Sequence, residues 1–208
     1  MEFEAVVFDM YGTLMHTADK SGPYDRLFRK LSFSLWWNGM DRHKVKRICM
    51  TEDLPSMSDV VHRLLPNKRG FDVSGYDSAV AKEVGSVVLY PDVLETLGRL
   101  RDKGISMGLV SNLASPYREP FFRFGLDRFI SSFVFSCDVE MMKPESGIYR
   151  AVLGRMEVSA AKVLMVGDSF RNDVEAPELL GMRSVLLDRK GSSDCPRKIR
   201  SLSEISLR

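Results

Sequence analysis

Acidic, basic and hydroxyl side chains lie at or shortly after the ends of four apolar runs in this sequence. The four groups are Asp9, Ser111-Asn112, Lys143, and Asp168 with Asp173. A carboxylate that is held rigidly away from bulk water can act as a nucleophile, and a lysine beside it can neutralise developing charge. Clustered carboxylates repel one another unless a cation lies between them, and oxygen ligands suit Mg²⁺. These residue types are the ones that a metal-assisted displacement by a carboxylate requires.

Each group also has an ordinary structural explanation. Asp9 or Asp168 could cap a following helix, and Ser111-Asn112 is a common turn pair. Lys143 could be an exposed residue ahead of a helix, and Asp173 could lie in a first helical turn that the helix dipole favours. The order of the groups at successive run ends is what favours one shared site.

Alternating strand and helix patterns predict an α/β fold with a doubly wound parallel sheet. The predicted strands cover residues 3–8, 105–110, 133–136, 163–166 and 184–187, and the predicted helices between them cover 92–103, 144–156 and 173–180, with another that begins at Ser115-Pro116. The carboxyl ends of parallel strands meet at one edge of such a sheet. We therefore expect the four groups to lie together at that edge.

Residues 18–88 carry four helical patterns and no strand pattern. The helices are expected over residues 24–33, 41–50, up to 65 after Ser56 or Ser58, and 76–88, with a loop over 15–23 before them. The pair Trp36-Trp37 lies beside the first helix and is expected in the core. The chain is thus predicted to form an α/β domain from residues 1–17 and 89–208, with an all-helical domain of residues 18–88 inserted after the first strand.

The composition is that of an ordinary globular protein, with 44% hydrophobic and 28% charged residues in a chain of 208. A net charge of +2 does not indicate a nucleic-acid or membrane partner. The three cysteines are an odd number without metal-ligand spacing, which is typical of reduced thiols in a cytoplasmic protein. No apolar run has the length of a membrane span and no signal-peptide pattern is present, so a cytoplasmic location is expected. No pattern indicates an oligomeric state.

The four groups resemble the motifs of the haloacid dehalogenase superfamily, which contains mostly phosphatases. The segment Asp9-Met10-Tyr11-Gly12-Thr13-Leu14 is similar to the first motif, Asp-x-Asp-Gly-Thr-Leu/Val after an apolar strand. Ser111, Lys143 and the Gly-Asp-x-x-x-x-Asp segment 167–173 are similar to the second, third and fourth motifs. The resemblance covers the chain outside the helical insert, which in this family would be a cap domain that closes over the site.

The resemblance implies a Mg²⁺-dependent phosphatase that acts on a small phosphorylated metabolite. Asp9 would be the nucleophile and would carry an aspartyl-phosphate, with Lys143 as its catalytic partner. The Mg²⁺ ligands would be Asp9, Asp168 and the carbonyl of Tyr11, with Asp173 holding the waters of the metal. The groups expected to bind the phosphoryl oxygens are Ser111, Asn112, Lys143 and the segment of Met10, Tyr11 and Thr13.

One position departs from the phosphatase motif. Tyr11 stands where those enzymes carry a second aspartate as general acid and base, and a tyrosine with a pKa near 10 cannot replace it at neutral pH. The pattern Asp-x-Tyr-Gly-Thr is that of the 2-haloacid dehalogenases, which use no metal. Their fourth motif typically lacks the Gly-Asp pair that is present here at Gly167-Asp168.

Two other functions therefore stay open. One is metal-independent dehalogenation of 2-haloacids, and the other is a weakly active relative that binds a ligand or a protein through the helical insert. A metal site accounts for Asp9, Asp168 and Asp173 together, so the sequence favours Mg²⁺-dependent phosphoryl transfer. Without the usual general acid, the substrates expected are those with good leaving groups, such as acyl and aryl phosphates.

Overall fold

A computed structural model describes residues 3–68 and 70–206 of the chain. In chain order the elements are β1 (Ala5–Phe8), β2 (Met15–Thr17), α1 (Pro23–Trp37), α2 (Arg42–Thr51), α3 (Met57–Leu64), α4 (Ser74–Gly85), β3 (Val87–Leu89), α5 (Val93–Asp102), β4 (Ser106–Ser111), α6 (Glu119–Arg123), β5 (Ser132–Phe135), α7 (Ser136–Val139), α8 (Ser146–Met156), β6 (Val163–Gly167), α9 (Ala176–Glu178), β7 (Arg183–Leu187) and β8 (Lys198–Ile199). None of these described helices is long and apolar enough to cross a membrane.

The sheet has six strands in the order β5-β4-β1-β6-β7-β8, and every neighbouring pair is parallel. The central strand β1 is covered on both faces. Val6 and Phe8 pack into one hydrophobic cluster, and Ala5 and Val7 pack into another on the opposite face. This double burial explains why the sequence of β1 is continuously apolar. The predicted α/β fold with a doubly wound parallel sheet is confirmed.

Helices α1 to α4 pack around a separate hydrophobic cluster. Leu27, Leu31 and Leu35 form the buried face of α1 at a helical spacing. The start of α3 is fixed by a capping box, in which the Ser56 side chain accepts a hydrogen bond from the Asp59 N–H and the Asp59 side chain accepts one from the Ser56 N–H. These helices therefore bury their own apolar stripes rather than packing onto the sheet.

A two-stranded antiparallel ribbon joins the helical segment to the sheet domain. β2 pairs with β3, with His16 opposite Val88. The predicted loop over residues 15–23 and the predicted helix up to residue 88 are both wrong at these positions, because α4 ends at Gly85. Strands of three residues are too short to show an alternating pattern in the sequence. The predicted domain boundaries fall at this ribbon.

The segment after β6 also differs from the prediction. Instead of one helix over residues 173–180, a π-helical turn, Phe170–Glu175, leads into the three-residue α9. A π-helical turn inserts an extra residue into the helical repeat, and such turns are frequent at functional sites. Here the turn carries Asp173 back toward the edge of the sheet.

The tryptophan pair is exposed, and its predicted place in the core is wrong. The exposed fractions are 70% for Trp36 and 74% for Trp37, and Phe33 beside them is 71% exposed. The rings contact one another, with centroids 6.3–6.4 Å apart. The leucine stripe of α1 already fills the face of the helix that contacts the helical core, so these rings lie on the other side.

Candidate active site

The carboxyl ends of β1, β4 and β6 lie side by side and bring three of the predicted groups to one edge. Asp9 follows β1, and its N–H donates to the carbonyl of Val166 in β6 at 2.9 Å. Asp168 follows β6, and Ser111 is the buried last residue of β4, the other neighbour of β1. This placement follows directly from the parallel order of the strands.

Lys143 completes the site as a buried cation between two carboxylates. Its Nζ lies 2.6 Å from Oδ1 of Asp9 and 2.7 Å from Oδ1 of Asp173. The exposed fractions are only 3% for Lys143, 6% for Asp9 and 0% for Asp173. Lys143 is therefore not an exposed residue ahead of a helix, and its charge is directed at Asp9.

Asn112 holds the main chain of Lys143 in place. Its Nδ2 donates to the Lys143 carbonyl at 2.8 Å, and its Oδ1 accepts from the Lys143 N–H at 2.7 Å. The peptide bond between Lys143 and Pro144 is cis. Both polar atoms of Asn112 are thus engaged with Lys143, which makes Asn112 a positioning residue, and its predicted contact with substrate stays a prediction.

Burial and the neighbouring charges set the protonation of this group. Burial raises the pKa of Asp9 to about 7, although the charge of Lys143 acts in the opposite direction. Burial alone would lower the pKa of Lys143, but Asp9 and Asp173 together raise it above its ordinary value. Lys143 is therefore a fixed positive charge at neutral pH.

The acidic residues of the edge fit a divalent cation. Asp9, Asp168 and Asp173 offer carboxylate oxygens that all lie within 4.8 Å of one another, with Asp168 exposed and the other two buried. One ammonium group faces these three carboxylates, so negative charge remains in excess. An all-oxygen donor set with excess negative charge suits Mg²⁺. Asp173 also accepts a hydrogen bond from the Ser169 N–H at 3.0 Å, so both of its oxygens have donors within the protein.

Gly12 allows the loop after Asp9 to approach Asp168. Its φ is +90°, and a Cβ atom built at this position would collide with the carboxylate of Asp168. The Asp168 side chain thus packs directly against the main chain that follows Tyr11. The Tyr11 carbonyl stays a predicted metal ligand on this segment.

The loop after Asp9 has two free N–H groups. The N–H groups of Gly12 and Thr13 donate to the carbonyls of Met15 and Met10, whereas those of Met10 and Tyr11 have no acceptor in the described part of the chain. The Thr13 hydroxyl donates to Oδ2 of Asp9 at 3.3 Å. Met10 and Tyr11 can therefore donate to an anionic ligand, whereas Thr13 orients Asp9 instead.

The side chain of Tyr11 is directed toward Tyr117. Its hydroxyl donates to the Tyr117 carbonyl at 3.0 Å, and the two rings meet edge to face with centroids 6.0 Å apart. Burial raises the pKa of Tyr11 above its usual value. Tyr11 is thus a protonated group whose donor is already engaged, and it is unsuited to act as a general acid or base.

A cavity of about 450 Å³ opens beside this site between the helical segment and the sheet domain. Tyr11 and Asn112 line it on one side, and Tyr24, Glu83 and Tyr117 line it elsewhere. The sequence reasoning did not single out Tyr24, Glu83 or Tyr117. No motif or spacing marks them, because they come from two α-helices and a 3₁₀ turn that only the tertiary structure brings together.

The family model of haloacid dehalogenase-like hydrolases matches residues 3–181 of the chain, so the protein belongs to this family. The predicted membership of the haloacid dehalogenase superfamily is therefore confirmed. A phosphoglycolate phosphatase of Shigella boydii is 32% identical over 157 residues, which make up 73% of this chain and 59% of that protein. The chain thus spans less than two thirds of the length of this curated relative.

Solved structures of both phosphatases and dehalogenases share the fold. A phosphatase of the family from Thermococcus onnurineus has a TM-score of 0.66 at 24% identity, covering 97% of this chain and 95% of its own. A 2-haloacid dehalogenase from Pseudomonas syringae pv. Tomato DC3000 has the same TM-score at 23% identity and the same coverage. Because the two scores are equal, the fold does not distinguish these two reactions.

Proposed function

We propose that the protein is a Mg²⁺-dependent phosphatase that works through an aspartyl-phosphate on Asp9. The observation that carries the proposal is the buried Lys143 between Asp9 and Asp173, with the carboxylate of Asp168 close to both. A dehalogenase has no use for the negative charge of Asp168 beside a departing halide. The curated relative named phosphoglycolate phosphatase supports a small phosphorylated substrate.

In this mechanism the Asp9 carboxylate attacks phosphorus, the bond from phosphorus to the ester or anhydride oxygen breaks, and the leaving group departs as an anion that takes a proton from solvent. Lys143 and the Thr13 hydroxyl each contact one oxygen of Asp9, which fixes the rotation of the carboxylate before attack. The N–H groups of Met10 and Tyr11 would bind phosphoryl oxygens, and bound Mg²⁺ would neutralise the remaining charge. Water then attacks the phosphorus of the aspartyl-phosphate, which releases phosphate and regenerates Asp9.

Tyr11 narrows the range of substrates. Since its hydroxyl is bonded to Tyr117 and its pKa is raised, it does not protonate a leaving group. General acid catalysis typically contributes about 10²–10⁴-fold, and a leaving group that is stable as an anion has the least need of it. We therefore expect acyl and aryl phosphates to be better substrates than alkyl phosphates. Phosphoglycolate is an alkyl phosphate and belongs to the poorer class.

The test is hydrolysis of acetyl phosphate, phenyl phosphate, phosphoglycolate and glucose 6-phosphate with Mg²⁺ and with EDTA. We expect Mg²⁺-dependent phosphate release from the first two, and loss of this activity in Asp9→Asn. Tyr11→Asp should raise the hydrolysis of the alkyl esters by about 10²-fold. Efficient hydrolysis of glucose 6-phosphate by the native chain, with no gain from Tyr11→Asp, would contradict the proposed restriction.

The first motif favours one second candidate. The tyrosine at position 11 is the residue that the 2-haloacid dehalogenases carry there, so a metal-independent displacement at carbon is the competing reaction. Chloride release from 2-chloropropionate in EDTA would support it. If neither reaction occurs, beryllofluoride separates the remaining cases, because a Mg²⁺-dependent thermal shift requires a competent Asp9 site and its absence would indicate a binding protein.

A further inference from the structure

The cavity beside the catalytic loop carries chemistry that the phosphoryl-transfer residues do not use. We propose that it binds the leaving group of the substrate and selects an aromatic ring that carries a hydrogen-bond donor, with an ammonium group as the preferred donor and Glu83 as its acceptor. This inference rests on the proposed phosphatase function and names the class of substrate. The substrates are thus aryl phosphates with a cationic substituent.

Four aromatic rings form a continuous wall of the cavity. The ring centroids are 6.0 Å apart between Tyr11 and Tyr117, 6.1 Å between Tyr117 and Tyr24, and 6.0 Å between Tyr24 and Phe28. All four residues line the cavity. The wall therefore runs from the loop that carries Asp9 into helix α1. Such spacings are those at which aromatic rings attract one another, so a flat aromatic group can join the series.

Glu83 supplies one buried carboxylate oxygen that lacks a partner. Its Oε2 atom is buried and has no hydrogen-bond partner in the described part of the chain. The neighbouring cations are engaged elsewhere, since Lys82 pairs with Asp19 at 2.9 Å and Arg123 donates to the Val84 carbonyl at 2.9 Å. Burial raises the pKa of Glu83, although interactions of its carboxylate with the Gly22 N–H and the Tyr117 hydroxyl act in the opposite direction. A buried carboxylate oxygen without a donor is costly, and a ligand ammonium would offset that cost.

The other charged groups of the cavity lie in solvent. Asp25 and Arg42 form an exposed pair at 3.5 Å, and Lys46 is also exposed. Charges in water contribute little to binding because they remain hydrated and screened. Glu83 is therefore the charge in this cavity that can discriminate between ligands.

The aromatic wall and the missing general acid point to the same substrates. A phenolate leaves more readily than an alkoxide when no acid protonates the leaving group. Tyr11 underlies both the aromatic wall and the missing acid, because its ring belongs to the wall and its hydroxyl is already bonded to Tyr117. The site thus favours a substrate whose leaving group is stable as an anion, is a flat aromatic ring and carries a cationic substituent.

The experiment compares three esters whose phenols have similar acidity, namely the phosphates of 4-(2-aminoethyl)phenol, 4-ethylphenol and 3-(4-hydroxyphenyl)propanoate. We expect kcat/KM to be highest for the ammonium ester and lowest for the carboxylate ester, with about a tenfold advantage of the ammonium ester over the neutral one. In Glu83→Gln this advantage should fall toward unity. Glu95→Gln, an exposed position on α5, is the matched control and should keep it.

The ratio of kcat/KM for the ammonium ester to kcat/KM for the neutral ester is measured on a single preparation of each variant. It therefore does not depend on the folded fraction of that variant. An unchanged ratio in Glu83→Gln, an equal loss for all three esters, or a preference for the carboxylate ester would each overturn the inference. In all three cases Mg²⁺-dependent hydrolysis of 4-ethylphenyl phosphate would leave the proposed phosphatase function intact. Absence of hydrolysis of every ester, and of acetyl phosphate, would overturn both.

Discussion

Lys143 is a buried lysine whose charge depends on two buried carboxylates. Removing it in Lys143→Met would leave Asp9 and Asp173 close together without compensation. We expect a loss of about 3–5 kcal/mol in the free energy of unfolding. Urea denaturation in EDTA measures this loss, and added Mg²⁺ should restore part of it because the cation would replace the missing positive charge.

The control for this prediction is Lys162→Met. Lys162 pairs with Glu4 at 2.5 Å at the surface, where an ion pair contributes at most about 1 kcal/mol. A similar loss in both variants would show that the buried cation has no special role.

At Gly12 the main chain of the loop after Asp9 packs against the Asp168 carboxylate. Gly12→Ala would introduce both backbone strain and a collision with the Asp168 carboxylate. Displacing Asp168 should weaken the binding of Mg²⁺. We therefore expect the Mg²⁺ concentration for half-maximal activity to rise about tenfold or more, as when the surroundings of other metal ligands are disturbed. The measurement is a Mg²⁺ titration of phosphate release.

A matched variant separates the collision from the strain. Gly104 also has a positive φ, +71°, but a Cβ atom there meets no other atom within 4 Å. Gly104→Ala should lose about 1 kcal/mol of stability and keep the native Mg²⁺ dependence. If Gly12→Ala kept that dependence too, Asp168 would not be a metal ligand.

At the scale of elements, the segment after β6 shows how local geometry shapes the site. The N–H of Asp173 donates to the Ser169 carbonyl at 2.7 Å, and the Asp173 carboxylate accepts from the Ser169 N–H. The Tyr149 hydroxyl of α8 donates to the Asn172 carbonyl within the π-helical turn. These bonds hold Asp173 beside Lys143 although the turn is irregular.

The two faces of helix α1 should contribute very differently to the free energy of unfolding. Trp37 lies on the exposed face and Leu31 lies on the buried face. Trp37→Ser should change the free energy of unfolding by less than about 0.5 kcal/mol, whereas Leu31→Ala should lower it by about 2–5 kcal/mol through cavity formation. Urea denaturation of both variants checks this, and a large loss in Trp37→Ser would mean that the tryptophan is buried in solution.

At the scale of the whole molecule, one ion pair ties the carboxyl-terminal segment to the catalytic loop. Arg189 donates to both oxygens of Asp92 at 2.9 and 3.0 Å and to the Thr13 carbonyl at 2.8 Å. Asp92 also accepts from Ser201 and from the Leu202 N–H. Residues far apart in the sequence therefore meet at the amino-terminal end of α5.

This network predicts a pH dependence of stability. Burial opposes ionisation of Asp92, but its hydrogen bonds with Arg189, Ser201 and Leu202 outweigh burial and lower its pKa. The Asp92 carboxylate therefore binds a proton more readily in the unfolded chain than in the folded protein. The stabilisation from its ionised form is complete above about pH 4, the ordinary pKa of an aspartate, and is lost as the pH falls through the lower pKa of the folded state. Asp92→Asn should lose about 1–3 kcal/mol at pH 7 and progressively less in acid.

Thermal or urea unfolding of Asp92→Asn and the native chain between pH 7 and pH 3 measures this difference. Asp102→Asn is the control, because Asp102 is an exposed partner of Arg101 at 3.7 Å and should change stability little at any pH. A difference for Asp92→Asn that stays constant with pH would contradict the assignment of the lowered pKa to this network.

The sequence alone determined the parallel sheet and the polar residues at the carboxyl ends of its strands. Apolar runs, turn residues and helix spacing are local signals, and the ends of parallel strands must meet whatever the rest of the chain does. For this reason the sequence places Asp9, Ser111 and Asp168 at one edge of the sheet. The three-residue strands of the ribbon were missed because they are too short to carry a pattern.

Only the tertiary structure decided how these groups are used. Lys143 contacts Asp9 across 134 positions of the chain, and Asn112 is occupied in holding Lys143. The exposure of Trp36 and Trp37 and the unpartnered oxygen of Glu83 likewise depend on which face of a helix meets a distant neighbour. Packing between segments that are remote in sequence fixes burial, and burial sets the charge state and the accessibility of each side chain.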